Sequence, residues 1–167
     1  MRLTAPLVLL LLAAWGWGAP SAAEEVAELE MRGLAFVASR ANTNEFILES
    51  DRVVYLPKTQ MAELERVRVR FADQDGELSF QMVCDRGELN LETTDFYAEG
   101  NVRARTADGI EISTPHARYE RATRRVSGTS PVRISRPNGT ITGDGFEYDM
   151  DAHRLRVLGT SRMVHGQ

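Results

Sequence analysis

One pattern constrains this chain more than any other: a kinked alternation that recurs four times in phase. The four segments are Leu48-x-Ser50-x-x-Val53-x-Tyr55, Met82-x-Cys84-x-x-Gly87-x-Leu89, Ile112-x-Thr114-x-x-Ala117-x-Tyr119 and Ile141-x-Gly143-x-x-Phe146-x-Tyr148. Successive copies start 34, 30 and 29 positions apart (48 to 82, 82 to 112, 112 to 141). Alternation is the signature of a strand with one buried face. The two-residue gap in the middle breaks it at the same place each time. A bulge does this, because it consumes one extra residue and keeps the later side chains on the original face. A second strand type lies between the copies, led by Val67, Val102, Val132 and Met163. Each repeat is therefore a kinked strand, a turn and a return strand. Such units expose an apolar face singly and bury it by stacking. An ordinary β-sandwich is the alternative architecture for alternating strands at regular spacing.

Turn signals separate the strands: Pro57-Lys58, Asp75-Gly76, Asp108-Gly109, Pro137-Asn138-Gly139 and Gly143-Asp144-Gly145. Asp-Gly and Asn-Gly between apolar runs favour hairpins. No stretch keeps a helical period after Gly33. The expected class is all-β.

The N-terminus is different. Arg2 precedes 21 uncharged residues, Leu3 to Ala23, and Glu24-Glu25 ends the run. Small residues at Ser21-Ala22-Ala23 suit signal-peptide cleavage. The same run is long enough to span a bilayer, which needs roughly 20 residues. Both readings stand, and both export the body of the protein. No Cys follows the run, which excludes an acylated lipoprotein N-terminus. The expected organisation is an apolar helix over 1–23, as signal peptide or anchor, a linker over 24–33, and one β domain over 34–165.

The chemistry of a catalyst is missing from the sequence. His116, His153 and His165 lie at no metal-ligand spacing, and there is no H-E-x-x-H or G-x-S-x-G. The acidic stretch from Asp144 to Asp151 fails the calcium-loop pattern, because His153 and Arg154 stand where ligands and glycine belong. Cys84 is the only cysteine, so no internal disulfide forms and a buried apolar thiol is expected. No enzyme activity, metal or cofactor is expected. The net charge is −4, with 20 basic residues scattered along the chain, which argues against a nucleic-acid binder. The arginines read as solvated strand faces.

The apolar face carries the better hypothesis. Leu48, Val53, Val67, Val69, Phe80, Met82, Leu89, Val102, Ile112, Val132, Ile134, Ile141 and Phe146 fall on one face. They line a groove for acyl chains if the sheet is open, or fill a core if it is closed. Alternation alone does not separate the two.

Two stretches resemble the LptC family of the lipopolysaccharide-export machinery. One is Leu64-Glu65-Arg66-Val67-Arg68-Val69-Arg70-Phe71, followed by Asp75-Gly76. The other is Ala98-Glu99-Gly100-Asn101-Val102-Arg103-Ala104, similar to the family's L-x-G-x-V step with Ala98 in place of Leu. Tyr55, Tyr119, Tyr148 and Ser130-Pro131-Val132 also fit, and the resemblance runs from Gly33 to Val164. It implies an open, twisted β-jellyroll of the OstA/LptA-like type. It implies a lipid-carrying part in lipopolysaccharide transport from inner to outer membrane, at the inner membrane facing the periplasm or in the periplasm after cleavage. The implied partners are lipopolysaccharide, inner-membrane ABC transporter subunits and a second, LptA-like jellyroll, the last docking on a C-terminal edge at Met163 and Val164. A soluble LptA-like bridge and a scaffold without lipid remain the alternatives.

Overall fold

The computed structural model describes residues 28–40, 43–72 and 76–165. These form β1 (Leu29–Arg40), β2 (Thr43–Leu56), β3 (Met61–Ala72), β4 (Leu78–Asn90), β5 (Phe96–Thr106), β6 (Glu111–Glu120), β7 (Arg125–Gly128), β8 (Val132–Arg136), β9 (Gly139–Gly143), β10 (Gly145–Asp149), β11 (Arg154–Leu158) and β12 (Arg162–His165). All belong to one 12-stranded sheet. The expected N-terminal helix over 1–23 lies outside the described residues. β1 begins at Leu29, inside the stretch expected as a linker, because Leu29, Met31 and Leu34 continue the alternation of the sheet backwards.

Every strand breaks along one line. Pairing skips Gly33 and Asp51 between β1 and β2, and Asp51 and Arg66 between β2 and β3. It skips Arg66 and Asp85 between β3 and β4, and shifts again at Gly100-Asn101 and Pro115 in β5 and β6. Past β6 the strands part completely at this line. β6 then pairs with β7 through one half and with β8 through the other. β9 and β10 are the two halves of one broken strand around Asp144, and β11 and β12 are two halves around Gly159. The result is a crease, with two half-sheets of nine segments on either side. One runs 29–32, 52–56, 61–65, 86–90, 96–99, 116–120, β7, β10, β11; the other runs 34–40, 43–50, 67–72, 78–84, 102–106, 111–114, β8, β9, β12. Gly143-Asp144-Gly145 is therefore not a hairpin turn. It is the fourth copy of the kink, where the chain runs on from one half-sheet into the other.

The chemistry of the crease explains the small residue in two of the four repeats. Ser50 Oγ donates to Arg52 O at 2.8 Å, and Thr114 Oγ1 donates to His116 O at 3.3 Å. Both hydroxyls bridge the extra residue and bond the carbonyl beyond it. The following residue is Asp51, Asp85, Pro115 or Asp144. Asp51 accepts from Arg66 Nε at 2.7 Å, Asp85 from Asn101 Nδ2 at 2.6 Å, and Asp144 from the Thr160 amide at 2.7 Å. The Arg66 hydrogen bond holds the Asp51 carboxyl below the usual aspartate range. Arg66 and Asn101, the donors to Asp51 and Asp85, both sit at positive φ (52° and 46°).

The far ends of one half-sheet close through four-residue hairpins at 57–60, 91–94, 121–124 and 150–153. Their last residues, Gln60, Thr94, Arg124 and His153, all have positive φ (54°, 62°, 48° and 46°). Three of these hairpins contain neither Gly nor Pro, so no turn signal marked them. Asn90 Oδ1 accepts the amides of Glu92 and Thr93, and Asp149 Oδ1 accepts that of Ala152. These side-chain caps do the work that glycine does elsewhere.

Candidate functional site

The two half-sheets face each other, and the expected apolar residues all line the space between them. Leu48, Val53, Val67, Val69, Phe80, Met82, Leu89, Val102, Ile112, Val132, Ile134 and Phe146 are buried. Ile141 is half-buried. In the middle, the face fills itself. Phe46 stacks on Tyr119 across the gap with ring centroids 5.7 Å apart, Phe71 meets Tyr119 edge-on at 4.6 Å, and Phe80 stacks on Tyr148 at 5.4 Å. Toward the two sheet edges the cover thins. Met31, Leu34 and Phe36 are half-buried at the β1 side. Ile141, Leu155 and Val157 are half-buried at the other side, where Met163 is 64% exposed. The interior is a trough, sealed at its centre and open toward its ends.

Both edges present unpaired backbone among the described residues. β1 pairs only with β2, β11 only with β10, and β12 only with β9. Leu29 and Val37 stand exposed on the first edge, and Leu158, Met163 and Val164 on the last. Edge strands of this kind are templates for strand addition.

Opposite the crease, the long side of the trough is shut by ionic side chains that no sequence pattern brings together. Arg124, only 7% exposed, donates Nη1 to Glu45 Oε1 at 2.5 Å, Nε to Asp151 Oδ1 at 2.6 Å and Nη2 to the Ala72 carbonyl at 3.0 Å. Arg121 reaches Glu45 Oε2 at 3.4 Å and the Ser39 carbonyl at 3.2 Å. Burial works against the Arg124 charge, but the hydrogen bonds to Asp151 and Glu45 outweigh it and leave its pKa above the ordinary value. The expectation that the arginines lie on solvated strand faces fails at Arg124, which is buried. Several other arginines lie outside in exposed pairs, such as Arg70 with Glu49 and Arg105 with Glu111, which contribute little.

The remaining candidates are committed locally. Among the described residues, no three His, Cys, Asp or Glu side chains gather as a metal site. Within the acidic stretch, Glu147 pairs with Arg125 and Arg156, and Asp151 with Arg124. His116 Nδ1 meets Tyr97 Oη at 3.0 Å on the outer surface. Cys84 is buried, and burial pushes its thiol up to about 12. Among the described residues no helix is long and apolar enough to cross a membrane.

A family model described as lipopolysaccharide-assembly, LptC-related, matches residues 6–165. The chain belongs to that family. The LptC-related proteins are transport-bridge proteins of the envelope that face the periplasm, so the chain takes part in lipopolysaccharide transport. No curated protein matches it at the level of sequence. Its fold is similar to the crystal structure of LptH, the LptA-homologous periplasmic component of the lipopolysaccharide transport device of Pseudomonas aeruginosa. The TM-score is 0.59 at 12% identity, covering 71% of this chain and 93% of that one. The open sheet of antiparallel strands is thus that of the LptA jellyroll, as the family resemblance implied.

Proposed function

We propose that this LptC-related protein carries the acyl chains of lipopolysaccharide along its trough, without catalysing a reaction. In this reading it accepts lipid from inner-membrane ABC transporter subunits and hands it to an LptA-like jellyroll at the edge formed by Met163 and Val164. The observation that carries it is the graded cover of the apolar interior. That interior runs from β1 to β11 and β12 and loses cover toward both unpaired edges. Transfer of acyl carbons into it gains about 0.8 kcal/mol for each CH₂ removed from water, so several chains are held with few polar contacts. Photo-crosslinkers at Met82, Ile141 and Phe146 are expected to capture lipopolysaccharide, while one at Arg103 on the outer face is not. Capture from Arg103 alone would overturn the proposal.

A further inference from the structure

We propose that Arg121, Arg124, Glu45 and Asp151 form a releasable clasp on the long side of the trough, and that its two arginines take the anionic headgroup of the lipid when the clasp opens. The inference rests on the lipid-carrying reading and deepens it. It starts from a conflict of space. The central face is filled by its own side chains, with Phe46, Phe71, Phe80 and Ile112 all buried. Acyl chains therefore enter only if the half-sheets part.

They part most easily at one place. Along the crease, β1 to β6 run through both half-sheets, and the backbone ladder is continuous on either side of each bulge. Opening there breaks strands. Opposite the crease, the contacts between the half-sheets among the described residues run through side chains: those of Arg124 and Arg121 to Glu45, Ala72 and Ser39, with the ring stacks behind them. A buried ion pair gains attraction but loses hydration, and the two nearly cancel. Such a seam closes tightly at small net gain and reopens at small net loss. The rings behind it do not, because opening wets them. Acyl chains remove that cost by replacing one apolar contact with another. The clasp therefore opens with its ligand rather than ahead of it.

The chemistry of the lip then matches what arrives. Chains lying in the trough leave their headgroup outside the opened seam, where the two guanidiniums are. In the closed state two carboxylates balance them. Asp151 is already 47% exposed and rehydrates without rearrangement, and Glu45 is freed as β2 moves away. The guanidinium fork fits phosphate as well as it fits carboxylate, in the same bidentate geometry. A phosphorylated glycolipid thus exchanges one set of anions for another.

The test compares Glu45→Gln, Arg124→Gln and Arg121→Gln in the full chain. The probes are lipid A and the same acylated disaccharide stripped of phosphate, with thermal melts confirming folding. Glu45→Gln is expected to bind lipid A about tenfold more tightly, and Arg124→Gln about tenfold more weakly, each removing one charge-assisted partner. On the phosphate-free probe no variant is expected to bind more weakly, because each substitution loosens the closed clasp and there is no phosphate contact to lose. If Arg124→Gln fails to fold, Arg121→Gln, at the half-exposed lip, is expected to show the same loss. Should Glu45→Gln and the arginine variants shift together, the cluster is a structural tie and the inference falls alone. Should the wild type take up neither probe, the lipid-carrying reading falls with it.

Discussion

Ile134 and Ile141 offer a controlled measurement of how far the trough is sealed. They are direct cross-strand partners in β8 and β9 and point to the same face. Ile134 is fully buried, and Ile141 is only half-buried. The same substitution to alanine at each therefore differs in cover and in little else. Removing the side-chain carbons forfeits about 2 kcal/mol of transfer free energy at a fully covered site. At Ile134 the neighbours close on every side, so a cavity remains and adds about 1–2 kcal/mol. The expected loss for Ile134→Ala is about 3–4 kcal/mol. At Ile141 water enters the notch, the cavity contribution vanishes, and the transfer loss shrinks with exposure to about 1 kcal/mol. With a urea slope of about 2 kcal/mol per molar, the unfolding midpoints fall by about 1.5–2 M and about 0.5 M. Urea melts followed by far-UV circular dichroism read this directly. Equal losses would refute the gradient of cover, and with it the observation on which the lipid path rests.

Two further outcomes are expected. Met163→Pro should abolish pairing of the last edge with a second jellyroll while leaving the melt within about 1–2 kcal/mol of wild type, because β12 is short and pairs on one side only; unchanged partner binding in a pull-down would refute the edge assignment. Cys84, its thiol pushed to about 12 by burial, should resist an aromatic disulfide reagent at pH 8 in the folded protein and react promptly in urea, since only the thiolate attacks; rapid labelling of the native chain would show that the crease admits solvent.

The repeat was legible because it is encoded twice, by side-chain alternation and by the interruption at Ser50, Cys84, Thr114 and Gly143. Both are local, so short windows of sequence carry them. What they could not carry was the distinction between a turn and a crease. Gly143-Asp144-Gly145 has the composition of a hairpin, and only its partners show that the strand continues. The hairpins at 91–94, 121–124 and 150–153 escaped for the converse reason, since Thr94, Arg124 and His153 occupy the left-handed position that glycine usually marks. The clasp was least visible. Glu45 and Arg124 are 79 residues apart, and each looks like any surface charge on a strand. Their pairing follows from the folding of the sheet upon itself, which no periodicity records.

The crease also makes the molecule a ruler. Because each strand of the meander pairs with its neighbour in sequence, one more kinked repeat inserts without rewiring the rest. Two strand positions add about 10 Å at about 4.8 Å each. Nine positions in a half-sheet give about 38 Å from first edge to last. The distance such a protein covers is thus set by how many times one short sentence of sequence is repeated. Longer spans are reached by adding repeats or by placing copies edge to edge.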